Sequence, residues 1–197
     1  MSKQQNALAG TPREEASFRH TLREATAAKH EALDQALSHA LSGRDGYVKF
    51  LRGTLRVLSA NESALDSLEG LELKARIEAL RHDLEELSAS SSIDPSARVL
   101  QAPAQTWGAA YVIEGSGLGG LVLAKRAGEL GIGATRYLTL RGSQTMASFR
   151  AFVARLERWA DAASPAERSA AVNGALQMFA EYRRAFVLEQ LITEQHG

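Results

Sequence analysis

Residues Tyr111 to Gly120 read YVIEGSGLGG, with four glycines in the last six positions of a stretch that otherwise has the composition of a helix from Gln105 to Leu130. Glycine in a helix interior costs roughly 1 kcal/mol relative to alanine, so the cluster requires a structure that benefits from missing side chains. Three arrangements do so. The first is a dinucleotide-binding loop, since Gly115, Gly117 and Gly120 satisfy G-x-G-x-x-G. The second is close helix packing or a kink at a glycine pair. The third is a helix bent across a flat ligand, its backbone laid against a face where any Cβ would intrude. The dinucleotide loop needs a preceding strand and a βαβ repeat, whereas Ala104 to Glu114 is alanine-rich and strand-like runs are nearly absent from the chain. The other two stay open on these residues alone.

The 197 residues suit one globular domain, and 45% hydrophobic content supplies a sizeable core. Lysine plus arginine and aspartate plus glutamate number 23 each, which argues against a nucleic-acid binder. Cysteine is absent, which removes disulfides, thiolate metal sites and thiol nucleophiles, and leaves five histidines as nitrogen ligands. The N-terminus MSKQQNALAGTPREEAS lacks a signal-type apolar segment, and no run approaches the ~20 apolar residues of a membrane span. The expectation is a cytoplasmic protein that contacts no membrane.

Residues 1–14 are polar and read as a loose tail, with one domain over 15–197. Helical periodicity runs through Phe18, Leu22, Ala25, Leu33 and Leu37, ending at Gly43. It resumes through Tyr47, Phe50, Leu51, Leu55 and Leu58 toward Leu68, and again from Leu73 to Leu87. Asp94-Pro95 resembles the start of a short helix, interrupted at Pro103. The long glycine-bearing helix follows, and Tyr137 to Leu140 is the one stretch that reads as extended. Ser143 is placed as the cap of the next helix. Ser164-Pro165-Ala166-Glu167 matches a capping box opening a last helix that runs to about Thr193. Six or so helices joined by short connections give an all-α chain.

His30 stands in the middle of the first helix with Asp34 four residues on, one turn away on the same face. A metal-ligating histidine commonly gives its second ring proton to such a carboxylate, which fixes its tautomer; a solvent-facing histidine beside an acid has the same spacing. Arg23 precedes His30 by two turns, about 10 Å along the axis, where it can hold an anion beside a ligand centred on the histidine.

The segment LREATAAKHEALD together with YVIEGSGLGG resembles the heme oxygenase family, above all its bacterial members; Tyr47-x-x-Phe50-Leu51 and the SPAE opening of the last helix support the likeness, which extends over most of the chain from Phe18. The resemblance implies a single-domain helical bundle with heme between a proximal helix and a glycine-kinked distal one. It makes His30 the proximal iron ligand, with Asp34 beside it. Gly115, Ser116, Gly119 and Gly120 become the distal catalytic backbone, where missing side chains leave room for O2 over the macrocycle. Arg23 and, on the penultimate helix, Arg155 are implied as propionate grips, and Phe179 as a ring against the heme edge. Where some members carry a distal aspartate this chain has Ser116, so the resemblance leaves proton delivery without an assigned group.

The implied reaction is the oxidative cleavage of heme, both cofactor and substrate, to biliverdin, CO and ferrous iron. It uses O2 and an electron donor such as a ferredoxin or flavoprotein reductase, and a bilin acceptor such as a phytochrome would take the product. A heme-binding or heme-transfer protein of the same fold would need the same ligand and grips. A helical enzyme acting on a small heterocycle, of the thiamin-degrading kind, would need the cysteine nucleophile that is missing.

Overall fold

Glu157 of one helix caps the first turn of another: its carboxylate accepts the backbone N–H groups of Phe18, at 2.9 Å, and Arg19, at 2.8 Å. Unpaired N–H groups and the positive end of the helix dipole make that position favourable for a carboxylate. In the computed structural model, which describes residues 17–94, 100 and 102–193, this contact fastens α1 (Phe18–Ala40) to α6 (Thr145–Ala162). The other long helices are α2 (Arg44–Leu65), α3 (Leu73–Glu86), α4 (Pro103–Glu129) and α7 (Pro165–Leu188). A single turn, α5 (Arg136–Thr139), and a 3-10 turn at Gly142–Gln144 link α4 to α6. There is no strand among the described residues, and the architecture is an all-α, single-domain bundle. No described helix is long and apolar enough to cross a membrane.

Two local expectations change. Tyr137 to Leu140 is not extended, because the Asp83 carboxylate accepts the N–H groups of Arg136 and Tyr137 and nucleates α5 there. Nor does Ser143 cap α6: it lies inside the 3-10 turn, and Gln144 occupies the cap position. The Ser164 box forms as read, the Ser164 hydroxyl accepting from Glu167 N–H while the Glu167 carboxylate accepts from Ser164 N–H at 2.8 Å. The tail at 1–14 and the Asp94-Pro95 helix start fall on or run into residues outside the described set.

The most extensive helix contact is α4 on α7, and glycine is its cause. A Cβ on Gly108 would overlap the Ala171 carbonyl, and one on Gly174 would overlap the carbonyl of Gln105. With Ala171 and Ala175 also at the seam and fully buried, the two backbones meet with almost nothing between them. α1 packs on α7 and α6, and α2 on α3 and α7. The core between them is leucine-rich, with Leu22, Leu51, Leu55, Leu58, Leu80, Leu84 and Leu156 fully buried.

One buried ionic group sits against α4. Glu114, 3% exposed, accepts from Arg76 of α3 at 2.9 Å and from Arg141 at 2.5 Å. The C-terminal end of α7 is held in turn by Glu189, whose carboxylate accepts from Arg52 and Arg56, both at 2.7 Å. Burial pushes the Glu189 carboxyl up, but hydrogen bonds and charge from Arg56 and Arg52 outweigh it and hold the group below its ordinary value of 4.5.

Two outcomes follow. Gly174→Ala places a methyl against backbone that cannot step aside, so it lowers stability by about 3 kcal/mol or more or prevents folding; thermal denaturation followed by circular dichroism measures this. A carboxyl held low in the folded state stabilises it above the unfolded-state pKa, and that contribution disappears as pH falls through the folded one. Glu189→Gln therefore flattens the acid side of the melting-temperature profile below about pH 4.5, leaving the neutral and alkaline side parallel to wild type.

Candidate functional site

α1 and α4 run side by side in the same direction, and each leaves the core part-way along. At one end Phe18 and Trp107 both lie against Trp159, ring centroids 5.8 and 5.3 Å away. At the other, Leu41 and Gly43 line a small cavity together with Leu123, Ala127 and Leu130. Between these ends the helices separate, each packing on α6 and α7 far more than on the other. Beyond Thr26 no described side chain of α1 is buried, and beyond Glu114 only Gly120 and Ala127 of α4 are. His30 lies twelve residues after Phe18 and Gly119 twelve after Trp107. At 1.5 Å per residue each is ~18 Å from the aromatic end, so they stand level across the gap.

His30 stands two turns after Arg23 on the same face of α1, with 63% of its side chain exposed. Its Nδ1 is 2.9 Å from Asp34 Oδ2. With Nδ1 committed to a carboxylate, Nε2 is the free ring nitrogen, which is the arrangement that makes an imidazole a good ligand. The Phe179 ring of α7 meets the imidazole edge-on, centroids 5.9 Å apart.

On the opposite wall the four glycines divide. A Cβ on Gly115 or Gly119 would meet nothing within 4 Å; they follow Tyr111 at successive one-turn steps along α4, and Val122, 71% exposed, extends that surface one turn further as an apolar one. Gly117 would make ordinary contact with Thr145, while Gly120 is buried with its Cβ position 3.2 Å from the Leu138 carbonyl oxygen. Gly120, expected on the distal face, therefore serves helix packing against α5. The packing explanation of the cluster holds at Gly120, while Gly115 and Gly119 are left facing open space. Ser116 is exposed beside Gly115, its hydroxyl donating to the Ile113 carbonyl at 2.7 Å.

Toward the aromatic end the gap is cationic. Burial raises the pKa of the Tyr111 phenol, and the charges of Arg19 and Arg23 pull it back down, so both guanidiniums act electrostatically on this side of the gap. Arg19 also lies over the Phe149 ring, 5.8 Å from its centroid. Arg155 is elsewhere: six residues after Phe149, about 240° round α6, it stacks on Phe152 and reaches toward Gly70 in the turn between α2 and α3. The structure thus brings His30, Asp34 and Phe179 together, and sets Arg23 among Arg19 and Tyr111 rather than with Arg155. Arg19 had a signal in the sequence, since it is one turn before Arg23 on the same face; Tyr111 had only its position one turn before Gly115.

The chain is 32% identical over 165 residues to a heme oxygenase of Xanthomonas campestris pv. campestris (strain 8004), an alignment that spans 79% of this chain and 97% of that protein. It belongs to the heme oxygenase family. The fold is shared with the NO- and CO-bound heme oxygenase of Neisseria meningitidis, with a TM-score of 0.78 at 24% identity over 92% of this chain and 96% of that one. No protein-family model matches the chain. As a heme oxygenase it is an enzyme of heme degradation, with heme as its substrate.

The gap, a slot between the two helices, has a free imidazole nitrogen on one side, bare backbone at Gly115 and Gly119 on the other, apolar surface at Val122, and Arg19, Arg23 and Tyr111 toward one end. The two open glycines can be told apart from the packing ones by experiment. Gly119→Ala meets no neighbour and adds helix propensity, so it raises the stability of the ligand-free protein by about 0.5–1 kcal/mol. The same methyl enters the slot and weakens hemin affinity about tenfold or more. Paired melting curves and hemin titrations read both effects.

Proposed function

We propose that this heme oxygenase opens heme to biliverdin, CO and ferrous iron with O2 and a reductant, with His30 as the proximal ligand. The observation that carries this is the level pairing of His30 with the two glycines whose Cβ positions are empty. Heme when bound supplies the reactive iron and the ring that is opened.

The residues around it do the rest. His30 offers Nε2 while Asp34 holds the proton on Nδ1, so the neutral imidazole is fixed in one tautomer and one orientation. Phe179 limits the tilt of that ring. Gly115 and Gly119 keep the distal wall at backbone height, leaving room for a diatomic molecule but for no side chain. Arg23, joined by Arg19 and the Tyr111 hydroxyl, would hold the propionates of bound heme. Glu114, the carboxylate that precedes Gly115 on α4, is bound by two arginines in the core and so would not serve as an acid in the slot. Electrons would come from a ferredoxin or flavoprotein reductase, and the bilin would pass to an acceptor protein.

Purified protein mixed with hemin and given ascorbate in air, with catalase present, is expected to lose its Soret band while a biliverdin band rises. A Soret band that forms and then persists, with a reductase doing no better than ascorbate, overturns the reading in favour of a heme carrier. His30→Ala loses the normal Soret spectrum and turnover, whereas Asp34→Asn keeps hemin and lowers turnover by about tenfold.

A further inference from the structure

The chain's two tryptophans lie against each other. Trp107 of α4 and Trp159 of α6 have ring centroids 5.3 Å apart and planes 20° from parallel, a stacked arrangement in which the two indole π systems overlap. Phe152 stands 6.2 Å from Trp107, and Phe18 5.8 Å from Trp159. Rings that only fill a core are sealed from water, but both indoles are half-buried, so the stack reaches the surface. On its other side α4 carries on toward the slot. Tyr111, also half-buried, follows Trp107 by one turn on the same face, with its ring 6.4 Å from that of Phe149. The bare Gly115 comes one turn later, ~12 Å from Trp107 along the axis.

The chain has no cysteine, which leaves indole and phenol as its readily oxidised one-electron donors; a phenylalanine ring gives up an electron far less easily. Trp159, Trp107 and Tyr111 therefore stand in line between solvent and the slot, each one ring contact or one helical turn from the next.

We propose that these three residues form an electron relay, which carries reducing equivalents from solvent to the slot so that hydrogen peroxide reaching bound hemin is reduced to water. The relay rests on the heme oxygenase reading of the slot. Each peroxide takes up two electrons and two protons as its O–O bond breaks to give two waters. Tyr111 gives one electron at a time and releases its phenolic proton. Trp107 refills Tyr111, which takes a proton back, and Trp159 refills Trp107. At the exposed edge of Trp159 an ascorbate monoanion closes the sequence. Two such anions, each losing an electron and a proton, cover one peroxide, and no bond of the protein is made or broken over the cycle.

The connection between the rings is tested in ligand-free protein. Azide radicals made by pulse radiolysis take an electron from exposed indole. In wild type the indolyl radical band is expected to give way to a phenoxyl band at a rate independent of protein concentration. Trp107→Phe keeps an aromatic ring but strands the radical on Trp159, so the indolyl band persists, and Tyr111→Phe loses the phenoxyl phase. No such conversion in wild type, or conversion at the wild-type rate in either variant, overturns the relay. In hemin-loaded protein given peroxide without ascorbate, Trp159 is expected to be recovered as oxygenated products in peptide mass spectra, and Trp107→Phe loses that oxidation. Trp159 left intact in wild type, or oxidised equally in Trp107→Phe, overturns the role in peroxide reduction. Wild-type protein that binds no hemin overturns the reading beneath it, whatever the ligand-free result. Should Trp107→Phe lose the wild-type far-UV spectrum, Tyr111→Phe in the azide experiment decides alone.

Discussion

The contact of backbone on backbone where α4 crosses α7 governs the rest of the molecule. Most helix pairs meet through side chains whose rotamers absorb small changes in distance, but here Gly108 and Gly174 face carbonyl groups directly, and a carbonyl has no rotamer to change. The crossing is therefore stiff, and what lies beyond it on each helix inherits a fixed place. On α7, Phe179 follows Gly174 by five residues and reaches His30. On α4, Tyr111 follows Gly108 by three and the open glycines come one turn later. α1 joins this pair through softer means, an aromatic stack at Trp159 and the Glu157 carboxylate at its first turn.

The second constraint is electrostatic. A carboxylate as buried as Glu114 costs several kcal/mol in lost hydration and survives only if its partners restore that loss. Arg76 and Arg141 do so from α3 and from the segment after α5, and they fix the turn of α4 that ends where the glycines begin. A glycine-rich helix left to itself would bend at many places; this one is anchored immediately before its weak stretch. Gly120 against Leu138 anchors it again immediately after. The flexible part is thereby confined to the few residues that line the slot.

Much of this was legible in the sequence, and the reasons differ by residue. Helical periodicity and the Ser164-to-Glu167 box are local signals, and they located the long helices, although the last ends at Leu188 and not near Thr193. His30 with Asp34 was readable because a one-turn spacing is a contact within a single helix. The glycine cluster announced that backbone was close to something, but the role of each glycine depends on what another helix brings opposite it, and Gly120 shows how that assignment can go astray. α5 was misread because its cause, Asp83, lies more than fifty residues earlier in the chain. Arg155 had a plausible position along its helix but the wrong face, which only the packing of α6 decides. Similarity to the Xanthomonas campestris enzyme across nearly its whole length places the chain in its family without addressing any of these single-residue questions.

The parallel course of α1 and α4 has a mechanical consequence. Joined at the Trp159 aromatics and brought near each other again at Leu41 and Leu130, they frame an opening between those two ends. Past Thr26 no described side chain of α1 is fully buried, and Leu33 and Leu37 pack on the core only partly, so an occupant of the slot would act as a missing layer of core along that stretch.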